Sequence, residues 1–384
     1  MMEPFKIAVP DQVLRDLRER LDRTRWPGQV EAYGWAQGTE PGYLRGLLEY
    51  WREGYDWRRH EAELNGFDQF MAGLSHGRMH FIHQRSPHPS AKPLLLLHGW
   101  PGSVYEFHKL IPRLTDPPAQ GGNAAQAFHV VAPSLPGYGF SDAPREPGFS
   151  PRRMARAAHE LMHDVLGYPR FLVQGGDWGA VICSWMGFDF PQAVAGIHLN
   201  MMGLRAAPGP DSPPLSEEEK AFLADAGKKM KEDMAYMAIQ GTRPQSLGYG
   251  LNDSPVGLAG WLVEKFHAWT DCGGDLERSI SKDELLTNIM IYWVSSSITS
   301  SMRLYYEYRQ SNESLPPGER VEVPTGFANF PGEIFNPPRS WVERNYNIQR
   351  WTDMPAGGHF AALEAPQALA EDMAAFFTTI AIQD

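Results

Sequence analysis

Phe171-Leu172-Val173-Gln174-Gly175-Gly176-Asp177-Trp178-Gly179 reads as a short apolar strand, a turn of small residues and the first residues of a helix. Small residues on both sides let the chain reverse sharply enough to push one side chain out at the top of a sheet, in the form G-x-Nuc-x-G. Gly175 and Gly179 are the flanking glycines and Asp177 is the nucleophile. The turn has a plainer reading, with Asp177 as a helix N-cap, and a five-residue match does not by itself decide between the two.

A second stretch, Leu94-Leu95-Leu96-Leu97-His98-Gly99-Trp100-Pro101-Gly102-Ser103, is a buried strand that ends in a loop. In enzymes with the elbow, such a loop sets a backbone N–H beside the one following the nucleophile, and the two stabilise an oxyanion. The expected donors are the amides of Trp100 and Trp178. His98, at a strand end, is read as a loop-holding residue and not as the base. The third stretch is Gly357-Gly358-His359-Phe360, a loop just before the last helix. Where the order is nucleophile, acid, histidine, the acid lies between 177 and 359. Glu333 fills that place and Asp353 is its rival.

The strands expected at 79–84, 93–97, 128–132 and 171–174 alternate with helices at 151–166 and after Gly179 to about Phe190. This argues for a mostly parallel sheet covered by helices on both faces. Upstream, 11–25 has helical spacing, with Asp11 as N-cap and Val13, Leu14, Leu17 and Leu21 on one face. A second helix covers 43–55. Both are rich in Trp, Tyr and Arg, as helices lying against another surface would be. From 215 to 308 the chain reads as successive helices, an insertion; sheet character returns at 320–327, and a last helix covers 366–380. The expected divisions are 1–75, an N-terminal wrapping region; 76–205, the first part of the α/β core; 206–319, a helical cap; and 320–384, the second part of the core.

The 384 residues carry 46 Asp+Glu against 35 Lys+Arg, a net charge of −11, which disfavours nucleic acid and anionic membranes as partners. With 42% hydrophobic residues the chain can bury a large core. Its apolar runs fall far short of the ~20 residues that span a bilayer, and no secretory segment opens the chain. Two cysteines, Cys183 and Cys272, suit a reduced, cytoplasmic setting. The histidines show no H-E-x-x-H or comparable spacing, so neither metal nor cofactor is expected.

With these residues in place, the chain resembles the epoxide hydrolases of the α/β-hydrolase fold, of the microsomal and juvenile-hormone type with an N-terminal wrapping region. The resemblance runs nearly the whole length, through 5–27, 50–70, the His98–Ser103 loop, Leu135-Pro136-Gly137-Tyr138-Gly139-Phe140-Ser141, the elbow, 250–258 and 357–363. It implies Asp177 as nucleophile, His359 as base and Glu333 as its charge partner. Two cap tyrosines would hold the epoxide oxygen, at Tyr236 and Tyr305, the latter with Tyr306 and Tyr308 as neighbours. The implied reaction takes an epoxide and water to a vicinal diol through an aspartyl ester, without cofactor, in a soluble bacterial-type member. Xenobiotic breakdown and natural-product biosynthesis, enediyne pathways among them, are the settings such relatives serve; the sequence leaves the oligomeric state open, a homodimer included. Two rivals stand beside this reading: a haloalkane dehalogenase, which shares the elbow but commonly has Asn where Trp100 stands, and a silent hydrolase fold used as a binding module, which would need a lost triad position.

Overall fold

The computed structural model describes residues 2–210 and 212–382; residues 1, 211, 383 and 384, which fall in three of the expected divisions, lie outside it. Among the described residues nine strands form one sheet: β1 Met2–Pro4, β2 Gln69–Leu74, β3 Gly77–Gln84, β4 Lys92–Leu97, β5 Phe128–Pro133, β6 Phe171–Gly175, β7 Val194–Leu199, β8 Val321–Asn329 and β9 Tyr346–Asp353. Their order is β1-β2-β3-β5-β4-β6-β7-β8-β9. The pairs from β1 to β5 are antiparallel, and from β5 to β9 all are parallel. The central strands carry apolar runs because helices cover both of their faces: Leu94 to Leu97 and Phe171 to Val173 are fully buried.

The sheet reaches back into the N-terminal range, since β1 and β2 pair ahead of β3. Strands β7 and β9 were not among those expected. Strand β7 contains Gly196 and His198, which interrupt its apolar run, and β9 is an edge strand, half-buried and polar. The helix at 11–25 is Asp11–Asp22, and its N-cap is Pro10, not Asp11. Pro10 has the extended dihedrals of a cap, whereas the Asp11 carboxylate is taken by Arg58. The expected helix at 151–166 is an α-helix, Pro151–His159, that continues as a π-turn over Glu160–Val165.

The N-terminal helices Asp11–Asp22 and Pro41–Glu53 send Leu17, Leu21, Leu44, Leu47 and Trp51 into the main hydrophobic cluster. Their polar faces meet the cap: Arg20 pairs with Asp253 and Tyr50 Oη donates to Asp283 Oδ1 at 2.7 Å, and Arg59, on the following helix Trp57–Leu64, pairs with the same Asp283. The cap is a set of helices between β7 and β8, including Ala235–Gln240, Pro255–Trp269, Lys282–Ser295 and Ile298–Ser311. No helix among the described residues is long and apolar enough to cross a membrane.

Candidate active site

Asp177 is both the first residue of the helix Asp177–Asp189 and, among the described residues, one of three non-glycine residues with positive φ, at 46°. That conformation is rare for a side-chain-bearing residue, and the two flanking glycines are what let the chain adopt it. A Cβ on Gly179 would stand 1.9 Å from the Leu97 carbonyl oxygen, and one on Gly175 2.5 Å from Gly179 itself. The helix thus starts at Asp177, earlier than Gly179, and its first amides, that of Trp178 among them, have no acceptor within the helix.

Parallel pairing sets Leu97 opposite Gly175, so the loop leaving β4 passes directly beside the elbow. A Cβ on Gly99 would lie 2.2 Å from Asp177 Oδ1. This close approach lets the Trp100 amide donate to that oxygen at 2.7 Å. His98 is buried and neutral: burial pulls its imidazole down to about 4. Its Nδ1 lies 3.0 Å from the Gly99 carbonyl oxygen, and the Leu135 amide donates to its Nε2 at 3.1 Å, so it joins two loops.

The other Asp177 oxygen faces His359, with Oδ2 3.4 Å from Nε2. His359 Nδ1 is 2.8 Å from Glu333 Oε1, and both side chains are almost completely buried. The His359 amide donates to the Trp269 carbonyl at 2.9 Å, which ties the histidine loop to the cap. Burial alone would lower the imidazole; the carboxylates of Glu333 and Asp177 overcome it and hold the ring well above its ordinary value. Asp353 does not reach the histidine. Its Oδ1 accepts from Asn329 Nδ2 and Trp351 Nε1, both at 3.0 Å.

Above Asp177 lies a cavity of about 450 Å³, lined by Tyr236, Tyr305 and Tyr308 with Met201, Met202, Met230, Met234 and Met237. Tyr236 stacks on the Trp100 ring at 5.4 Å, and Tyr305 packs edge-on against Trp178 at 4.8 Å. Of the three neighbouring tyrosines, Tyr305 is buried while Tyr306 and Tyr308 are more than a third exposed. The Tyr305 hydroxyl has no hydrogen-bond partner among the described residues. Burial first, and then the charge of Asp177, push the Tyr236 phenol well above its ordinary range; burial does the same to Tyr305.

Sequence reasoning missed a second chamber. It holds about 20 Å³, room for one water, and is lined by Asp177, His359, Glu106, Gln174 and Asn200. Among the described residues, Gln174 Oε1 and His359 Nε2 are buried there without hydrogen-bond partners. Burial pushes the Glu106 carboxyl up to about 8. The signal was a carboxylate in an otherwise apolar stretch, Val104-Tyr105-Glu106-Phe107, close behind the His98–Ser103 loop. No cluster of three or more potential metal ligands occurs among the described residues.

Comparison with known proteins places this geometry among relatives. The family profile "Epoxide hydrolase N terminus" matches residues 2–107, and that of the "alpha/beta hydrolase fold" matches 92–229. A protein of Stigmatella aurantiaca, named provisionally as an epoxide hydrolase, is 47% identical, covering 96% of this chain and 83% of its own length. Epoxide hydrolase 1 of Oryctolagus cuniculus is 40% identical over 98% of this chain and 88% of its own. The juvenile hormone epoxide hydrolase of Bombyx mori superposes with a TM-score of 0.86 at 34% identity, covering 99% of this chain and 94% of that one.

Proposed function

The chain belongs to the epoxide hydrolase family of the α/β-hydrolase fold, and from that premise we propose that it opens an epoxide to a vicinal diol through an ester formed on Asp177. One observation carries the reading: Asp177 presents one oxygen to the Trp100 amide at 2.7 Å and the other to His359 at 3.4 Å, beneath a cavity that also holds Tyr236 and Tyr305. A carboxylate at the elbow attacks saturated carbon, where a serine would acylate. The epoxide C–O bond breaks as the Asp177 ester forms, and the oxygen takes up a proton while Tyr236 and Tyr305 hydrogen-bond it.

Ester formation removes the charge of Asp177, one of the two that keep His359 protonated. The imidazole then gives up its proton and becomes the base for water, still oriented by Glu333. Water held in the small chamber beside Glu106 attacks the ester carbonyl carbon. The amides of Trp100 and Trp178 stabilise the oxyanion, and the diol leaves.

The same reading assigns 1–75 to a wrapping region, 76–205 and 320–384 to the core, and 206–319 to the cap. The methionine-rich cavity supports service on apolar epoxides of varied shape, because thioether side chains repack readily; xenobiotic breakdown and natural-product biosynthesis both suit it. Halide chemistry is disfavoured: Trp100 occupies the halide-holding position and packs on Tyr236. The deciding experiment is a single turnover in oxygen-18 water. The first diol should carry unlabelled oxygen drawn from Asp177; fully labelled diol would mean direct attack by water.

A further inference from the structure

Lysine is seldom buried, because its ammonium must leave water, yet Lys265 is only 4% exposed. It lies on the cap helix Pro255–Trp269 and outside the lining of both chambers. Its Nζ pairs with Glu264 at 2.6 Å and stands over two aromatic rings, 4.6 Å from the centroid of Tyr236 and 5.6 Å from that of Trp269. A cation over an aromatic face interacts with the ring electrons, most strongly where water is excluded. No cation stands over the Tyr305 ring among the described residues.

We propose that Lys265 is a positioning residue that acts through Tyr236, making Tyr236 and not Tyr305 the tyrosine that surrenders its proton to the opening epoxide. The inference rests on the reading of the site given above. As the epoxide C–O bond breaks, its electron pair goes to oxygen, the Tyr236 hydroxyl proton follows, and Tyr236 is left as a phenolate. Without a nearby cation, that phenolate would form buried among the rings of Trp100, Trp269 and Tyr305. The ammonium over the ring offsets this, and the contact with Glu264 holds the lysine in place. The phenolate regains a proton when His359 releases its own.

The test compares alkylation and ester hydrolysis, followed separately by the fluorescence of Trp100 and Trp178 in stopped flow. Lys265→Met keeps the apolar stem and removes the charge. It should slow alkylation on the order of 10- to 30-fold, the worth of a desolvated cation–aromatic contact, and leave hydrolysis of the ester nearly unchanged. Lys265→Arg should restore most of the rate. The loss should vanish in a Tyr236→Phe background and persist in Tyr305→Phe. Wild-type alkylation by Lys265→Met, or an equal loss with and without the Tyr236 hydroxyl, would make the lysine a packing residue only. Should Lys265→Met fail to fold, Lys265→Gln read in the same backgrounds decides by the same criterion. Failure of the site reading is a separate result: Tyr236→Phe itself would then alkylate at the wild-type rate.

Discussion

At the scale of single residues, the site joins groups whose chemistry is set by their neighbours. Two carboxylates face His359 and hold its imidazole well above its ordinary value, so in the proposed mechanism its work as a base follows alkylation. Replacing His359 with Gln should leave ester formation largely intact and slow hydrolysis by a factor on the order of 10²–10⁴. Intact-mass spectrometry should then find the protein heavier by one epoxide; no adduct would place His359 in the first step. Glu106 gives a test of opposite design. Its carboxyl, pushed up to about 8, is neutral at pH 7, so Glu106→Gln should retain most activity there and Glu106→Ala should not. Equal loss in both would mean that the carboxyl works ionised. Asp177 and His359 were legible in the sequence because a turn too tight for a Cβ leaves a local pattern of glycines. Glu106 and Lys265 were not, since a carboxyl or ammonium acquires its role only from the chamber or ring that distant segments bring to it.

At the scale of elements, the cap is fastened to the loops that border Asp177. Asn288 Nδ2 donates to the Pro101 carbonyl and Tyr292 Oη to that of Gly102, so the helix Lys282–Ser295 grips the loop that follows β4 at two points. The helix Ile298–Ser311 is held likewise, through Ser300 Oγ and the Gly137 carbonyl at 2.6 Å. Tyr305 is therefore presented by a fixed helix, and its ring is wedged among Trp100, Trp178 and Tyr236. An epoxide oxygen leaves as a basic alkoxide, so the loss of either phenol should be felt in the first step. Tyr236→Phe and Tyr305→Phe should each slow alkylation by a factor on the order of 10²–10⁴, with the double variant folded and nearly inactive. If both single variants alkylate normally, the cap tyrosines only fill space. Tyr305 was placed among three candidates by resemblance; burial distinguishes it from Tyr306 and Tyr308, a property that adjacent residues on one helix do not reveal in their spelling.

For the whole molecule, what could be read in advance was the central, doubly covered part of the sheet, where uninterrupted apolar strands such as Leu94–Leu97 have one explanation. The edges were harder: β9 alternates polar and apolar residues irregularly because one side has no neighbouring strand, and β7 hides a histidine whose partner lies far along the chain. That partner is Asp372, and the contact makes a global prediction. Asp372, on the last helix Pro366–Phe377, takes His198 Nε2 of β7 at 2.9 Å and, from β9, Arg350 Nε and Thr352 Oγ1, both at 2.6 Å. Burial alone would raise its carboxyl; the bonds from His198, Thr352 and Arg350 overcome that and hold it at about 2. A carboxyl depressed in the folded state contributes stability above its unfolded value near 4, and the contribution fades as pH falls through 2. The shift corresponds to a term on the order of 2 kcal/mol. Asparagine resembles the protonated acid, so Asp372→Asn should lower unfolding stability by about that amount at pH 7. The gap between variant and wild type should narrow steadily from pH 4 toward pH 2. Denaturant titrations of both proteins across that range measure it, and a gap independent of pH would show that Asp372 contributes shape and hydrogen bonds but not charge.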